Sequence, residues 1–322
     1  MFPNLLINPL ANPVTLPVIL LLAVVFGGAG LALVTLGLAS GGAGVGAVSR
    51  GKSRTPRRVL WQRYRTWAII APVFAGAALS GPLALAGVCA FIIWQGSREY
   101  AALANLTPLY RRALVLSGWA TLGAVLFFGP AALPWTVVVA FFGWAALGIL
   151  TPAGEQEAEG RNQSLMAGWW GYLYIGWLPA HLLALGLSRE PGLVLVVGLG
   201  VALSDVGAFC AGKTIGGPKL APRLSPNKTW GGVAGNLLGA ALALALMAFA
   251  LHRTPEWWQI GALALTIGLG SVWGDLLESL LKRQRGVKDA GGLLPGFGGL
   301  LDRVDSLLLV APLVYYLSLL LF

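Results

Sequence analysis

Apolar runs long enough to cross a bilayer recur along the chain, separated by short polar stretches. They lie near 16–39, 67–80, 82–95, 113–128, 134–150, 165–187, 192–211, 230–251, 257–281 and 304–322. A hydrocarbon core about 30 Å thick takes roughly 20 helical residues to cross. The pattern therefore predicts an all-α polytopic integral membrane protein with about ten transmembrane helices. The second and third runs are short, and Ser80-Gly81-Pro82 between them reads either as a tight turn or as a kink in a longer helix. The flank 1–15 of the first run has no Lys or Arg, unlike the basic start of a secretory signal, so this run is expected to be a retained helix.

Composition agrees, because 57% of the 322 residues are hydrophobic and only 11% are charged. A soluble domain carries about twice that charged fraction, so the soluble classes are excluded. The net charge of +10 invites a nucleic-acid reading, but basic residues in a membrane protein also hold loops on the cytoplasmic side. With the N-terminus outside, Arg189 and Arg253 are the only two of the 22 basic residues that fall in outer loops. That asymmetry predicts an N-out, multi-pass protein of the inner cell membrane, with membrane lipids and no nucleic acid as partners.

The organisation divides near Trp67. Residues 1–66 read as an added span followed by a basic Gly- and Arg-rich linker, and 67–322 as the main membrane-embedded domain. The linker's basic residues either meet anionic head groups or serve topology alone. No repeat of 20–50 residues is evident, which weakens a transporter built on internal repeats. Cys89 and Cys210 show no metal or redox spacing and read as packing residues, and His181 and His252 read as packing or interfacial groups.

The polar residues concentrate in three segments of the last third, where ionisable groups at membrane depth mark a site or a pathway. The first runs from Ser204-Asp205 through Lys213 and Lys219 to Ser225-Pro226-Asn227-Lys228-Thr229. Its glycines, lysines and the helix start after Thr229 suit a phosphate cradle, against the plainer reading of a basic loop. In the second, Asp275, Glu278, Ser279 and Lys282 fall at i, i+3, i+4 and i+7 and share one helical face. Either they contribute to a site or they form an internal salt-bridge stripe. In the third, a Gly-rich stretch after Lys288-Asp289 leads into a helix whose first turn carries Asp302, Asp305 and Ser306. One acidic residue there would be an ordinary cap, whereas two facing Asp275 suit a hard cation such as Mg²⁺.

The stretch from Ser279 to Asp305 resembles the signature of the phosphatidate cytidylyltransferase (CDP-diacylglycerol synthase) family: Ser, two apolar residues, Lys-Arg, Lys-Asp, a Gly-rich turn, Pro-Gly, Gly-Gly and Asp-Arg-Val-Asp. Ser204 to Phe209 and Ser225 to Thr229 look like further landmarks in the family's order, and the resemblance covers Trp67 to the end. It implies an integral membrane enzyme that makes CDP-diacylglycerol and pyrophosphate from CTP and phosphatidate with Mg²⁺ and, in some members, K⁺, working as a homodimer. By this resemblance Asp275 and Asp302 bridge the metal with Asp305 beside them, and Lys228, Lys282 and Arg283 act on the phosphates. Asp205, Lys213, Ser225, Thr229, Ser279, Lys288 and Arg303 would surround the nucleotide and lipid. The sequence departs from the pattern at Phe297, where a histidine is usual, at Asn227 in place of lysine, and at Gly231 in place of glutamate. The departures leave open a cytidylyltransferase acting on another lipid phosphate. A CTP-dependent polyprenol or lipid kinase is the enzymatic rival, and an ion transporter the non-enzymatic one.

Overall fold

The computed structural model describes residues 5–40, 56–151, 158–287, 290–294 and 298–322. Among them are eleven α-helices: α1 (Thr15–Ser40), α2 (Pro56–Leu79), α3 (Pro82–Ala104), α4 (Pro108–Phe128), α5 (Leu133–Leu150), α6 (Ala158–Gly171), α7 (Ala180–Gly186), α8 (Leu193–Thr214), α9 (Trp230–Met247), α10 (Trp257–Gln284) and α11 (Leu301–Leu321). Six described helical segments are long and apolar enough to cross a membrane: Pro108–Phe128, Pro130–Leu150, Leu193–Thr214, Trp230–Ala250, Trp257–Gln284 and Leu301–Leu321. The protein is a helical, multi-pass membrane protein.

The two short runs expected near 67–80 and 82–95 are parts of longer helices. α2 begins at Pro56 and passes through 66 and 67 unbroken, and α3 continues through its polar end to Ala104. Between them Gly81 has φ +97°, a region that disfavours any side chain, so Ser80-Gly81-Pro82 is a tight turn. Extended backbone from the N-terminal segment closes on it, with Ile7 N–H donating to Ser80 O at 2.9 Å and Leu83 N–H to Leu5 O at 3.0 Å. α1 follows, its Val18 only 1% exposed within the main core, and Tyr64 of α2 donates to Phe26 O of α1.

The run near 165–187 is one helical path with a defect. α6 passes into a π-helical turn, Tyr172–Trp177, and then into α7. Pro179 cannot donate a backbone hydrogen bond, and Leu178 N–H reaches back five residues to Leu173 O.

A short antiparallel hairpin stands between α8 and α9, β1 (Lys219–Ala221) and β2 (Ser225–Thr229), pairing Lys219 with Thr229 and Ala221 with Ser225. Apart from an isolated bridge between Leu294 and Gly298, it is the one piece of β-structure among the described residues. Its apolar content is too small to register as a strand pattern.

The helices that carry the polar clusters pack backbone to backbone. A Cβ placed on Gly207 of α8 would lie 2.1 Å from Gly235 O, and one on Gly235 of α9 would lie 2.2 Å from Gly207 O. Small residues at such crossings let helices approach where burial of apolar surface supplies no force between them. Ser204 Oγ donates to Asn236 O across this contact at 3.0 Å. The α10–α11 crossing uses the same device: a Cβ on Gly274 would fall 2.6 Å from Asp305 O, and Ser306 Oγ donates to Ser271 O at 3.1 Å.

Candidate active site

These close crossings bring acidic residues of α8, α10 and α11 together. Asp205 and Asp275 each stand nine residues before the end of their helix, about 13 Å along the axis by helical rise. Asp302 and Asp305 occupy the first turns of α11. Because Gly274 touches the backbone of Asp305 and Gly207 that of α9, α8, α10 and α11 bring Asp205, Asp275 and Asp305 within electrostatic reach of one another. Arg303 lies within the same range of Asp205 and Asp305.

The hairpin closes the group from the side. Lys228 extends from β2 and places Nζ 2.8 Å from Asp275 Oδ2 and 3.4 Å from Val272 O. Ser279 Oγ donates to the other Asp275 oxygen at 3.3 Å. With 42% of its side chain exposed, Asp275 is the accessible carboxylate of this pair.

The expected helical face on α10 exists but divides into two functions. Asp275 and Ser279 belong to the accessible pair, whereas Glu278 and Lys282 form the internal ion pair, 2.5 Å between Oε2 and Nζ. Lys282 Nζ also donates to Asp302 Oδ1 at 2.7 Å, and the side chains of Glu278 and Asp302 are 0% and 3% exposed. Lys282 thus bridges two buried carboxylates and ties the end of α10 to the start of α11.

Both Asp302 oxygens are engaged in this arrangement. Oδ1 holds Lys282, and Oδ2 accepts the N–H groups of Ala290 at 2.9 Å and Gly299 at 2.8 Å. Asp275 and Asp302, expected to converge on one ion, therefore sit in separate ion pairs, and no group of three His, Cys, Asp or Glu residues among the described residues forms a metal cage. Asp305 is buried, with Oδ1 accepting the N–H of its neighbour Ser306.

The remaining expected residues are placed as follows, where they are described. Thr229 is buried as the N-cap of α9, accepting from Gly232 N–H at 3.2 Å, while Ser225 opens β2. Arg283 is exposed and reaches Leu224 O of the hairpin, and Lys213 lies 4.1 Å over the Phe209 ring. Lys288 and Phe297 lie outside the described residues. Asn227 is exposed at the hairpin. Gly231, where the resemblance anticipates glutamate, packs so closely that a Cβ would meet Gly216 O at 2.5 Å. His181 and His252 lie elsewhere, the first buried beside Trp177 and the second against Glu190.

One residue escaped the sequence reading. Glu99 of α3, 6% exposed, accepts the N–H groups of Leu300 at 2.9 Å and Leu301 at 2.8 Å where α11 begins. The available signal was Gln95 and Glu99, two polar residues at i, i+4 at the polar end of a long apolar helix, which hydrogen-bond at 2.8 Å.

Residues 61–321 match the model of the cytidylyltransferase family. The chain belongs to that family. Among relatives of this cytidylyltransferase-family protein, the phosphatidate cytidylyltransferase of Pseudomonas aeruginosa is 34% identical over 281 residues, covering 79% of this chain and 95% of the relative. That of Brucella suis biovar 1 is 44% identical over 147 residues, 45% of this chain, and that of Synechocystis sp. 46% over 121 residues, 37% of this chain. The chain spans about half the length of the Brucella relatives it matches, 54% of the one from Brucella suis.

Proposed function

We propose that this cytidylyltransferase-family protein transfers the CMP group of CTP to phosphatidate, giving CDP-diacylglycerol and pyrophosphate. The observation that carries the reading is the meeting of Lys228 and Asp275, 2.8 Å apart, within electrostatic reach of Asp205, Asp305 and Arg303 in a membrane bundle. Cations beside accessible carboxylates suit a polyanionic nucleotide. The names of the Pseudomonas, Brucella and Synechocystis relatives agree with it.

In this reaction a phosphate oxygen of the lipid bonds to the α-phosphorus of CTP. The bond from that phosphorus to the bridging oxygen of the β-phosphate breaks, and pyrophosphate leaves with the electron pair. The attacking group is already an anion near neutral pH, so no side chain has to remove a proton. The protein's work is to align the two phosphates and offset charge on the leaving group. Lys228 beside Asp275 would serve this, with Arg303 in electrostatic reach of Asp205 and Asp305, and Arg283 on the hairpin. Ser225 and the α9 start capped by Thr229 lie along the same edge.

Mg²⁺ characteristically binds through one or two carboxylates plus substrate phosphates, without a cage of protein ligands. The half-exposed Asp275, with Asp205 and Asp305 near it, fits such an ion. Asp302, whose Oδ1 already holds Lys282, would join it through that oxygen's remaining lone pair. When bound, Mg²⁺ supplies charge neutralisation to the triphosphate. K⁺ is a second candidate ion by family resemblance.

The reading sets the site at the cytoplasmic face of an inner-membrane protein with about ten spans and an outside N-terminus, working as a homodimer. Residues 1–66 would be an addition to the main domain, with 56–66 already part of α2. CTP would enter from the cytosol and phosphatidate sideways from the bilayer. Product analysis with CTP labelled at the α-phosphorus tests it. Label in a CDP-lipid supports the reading, label left in CDP beside a new lipid phosphate indicates a lipid kinase, and no lipid product with ion flux indicates a transporter. A CDP-lipid from another lipid phosphate alone would replace phosphatidate as acceptor.

A further inference from the structure

α11 starts without a cap of its own. Its N-cap is Leu300, followed by Leu301 and Asp302, and Leu300 has no side chain able to accept a helix N–H. Asp302 does not fill the role for its own helix, because its Oδ2 turns back to Ala290 and Gly299 in the glycine-rich segment. The cap comes instead from α3. Glu99 receives Leu300 N–H on Oε1 and Leu301 N–H on Oε2, placing a carboxylate at the positive end of the helix dipole. Gln95 fixes the carboxylate from one turn below.

The same carboxylate explains two glycines of the segment. A Cβ on Gly291 would stand 3.0 Å from Glu99 Oε1, and a Cβ on Gly299 2.5 Å from Oε2. Glu99 is therefore the surface against which the segment is moulded, and Asp302 grips it from the other side. Between the two carboxylates, four backbone N–H groups at 290, 299, 300 and 301 are held.

We propose that Glu99 is a positioning residue that holds the glycine-rich segment preceding α11, and with it Arg303 and Asp305, in the geometry that receives the nucleotide phosphates. The consequence for substrate rests on the reading given under Proposed function; the conformational part does not. Glutamine at 99 keeps the shape but replaces one acceptor oxygen by an NH₂ facing a backbone N–H. Alanine at 299 intrudes on the carboxylate without touching its chemistry.

The test is hydrogen exchange on the purified full chain, comparing wild type, Glu99→Gln and Gly299→Ala, beside steady-state kinetics. Losing a buried hydrogen bond to a charged acceptor should speed exchange at Leu300 and Leu301 by about tenfold or more. Peptides from α8 and α9 should be unchanged in both variants. KM for CTP should rise more than kcat falls, and Glu99→Asp, which keeps the charge, should recover part of the loss. Unchanged exchange at Leu300 and Leu301, a rise along the whole chain, or local loosening with an unaltered KM would each overturn the proposal. If the wild type makes no CDP-lipid, the functional reading fails, while the exchange data still decide whether Glu99 holds the segment.

Discussion

Lys228 Nζ and Asp275 Oδ2 stand 2.8 Å apart and join the hairpin to the middle of the acidic cluster. The pair is partly exposed, 21% for the lysine and 42% for the aspartate, so solvent screens much of its attraction. It is a contact that a polyanionic substrate can displace at little cost.

Lys228→Ala should therefore leave thermal stability within about 1 kcal/mol of wild type. CMP transfer should fall about a hundredfold or more, because a positioned cation would be missing where charge develops. Thermal unfolding in detergent and a labelled-CTP assay on the same preparation separate the two effects. A variant that loses its fold together with its activity would place Lys228 among the structural residues.

The Lys282 cluster behaves in the opposite manner. Lys282→Met strands Glu278 and Asp302, whose side chains are 0% and 3% exposed, without a counter-charge. Breaking a buried pair in this way costs about 3–5 kcal/mol. The double variant Lys282→Met with Glu278→Gln should be more stable than Lys282→Met alone. A double-mutant cycle by chemical or thermal unfolding checks the sign, and additive losses would contradict the geometry.

Glycine at the α8–α9 crossing is a requirement of backbone contact. A Cβ on Gly235 would lie 2.2 Å from Gly207 O and 2.5 Å from Ala211 Cβ, whereas one on Gly261 meets nothing within 4 Å. Gly235→Ala should cost about 1–3 kcal/mol or more in stability, and Gly261→Ala should be close to neutral. Unfolding temperature and the yield of monodisperse protein are the measurements.

The helical, membrane-spanning character was legible because the bilayer imposes one length and one composition on every span. The polar face of α10 and the first turn of α11 were legible from helical spacing. What spacing could not reveal was the partner of each charge. Spacing left open whether Lys282 met a phosphate or a carboxylate of its own stripe, and it did not show Glu278 and Asp302 around Lys282, or Ala290, Gly299 and Lys282 around Asp302. Glu99 acts on Leu300 and Leu301 from about two hundred residues earlier, and no local pattern encodes that distance. The hairpin was hidden because its five-residue second strand, Ser225–Thr229, has polar and turn-forming residues and no alternating apolar face.

Metal dependence offers a readout apart from turnover. Mg²⁺ together with CTP should raise the unfolding temperature of the wild-type protein, since a ligand that binds only the folded state stabilises it. Asp275→Asn should lose most of that shift while keeping its own unliganded unfolding temperature near wild type. Thermal scans with Mg²⁺ alone, CTP alone and both together resolve the contributions, and an undiminished shift in Asp275→Asn would remove Asp275 from the ion's ligands.

The central claim is CMP transfer at the site built around Asp275 and Lys228. Its most direct test is incubation of the purified protein with phosphatidate, Mg²⁺ and CTP labelled at the α-phosphorus, with Asp275→Asn in parallel. The account predicts labelled CDP-diacylglycerol and an equal amount of pyrophosphate from the wild type, and loss of both in the variant or on chelation of Mg²⁺. Absence of any labelled lipid from a folded wild-type protein, or equal product from Asp275→Asn, would contradict it.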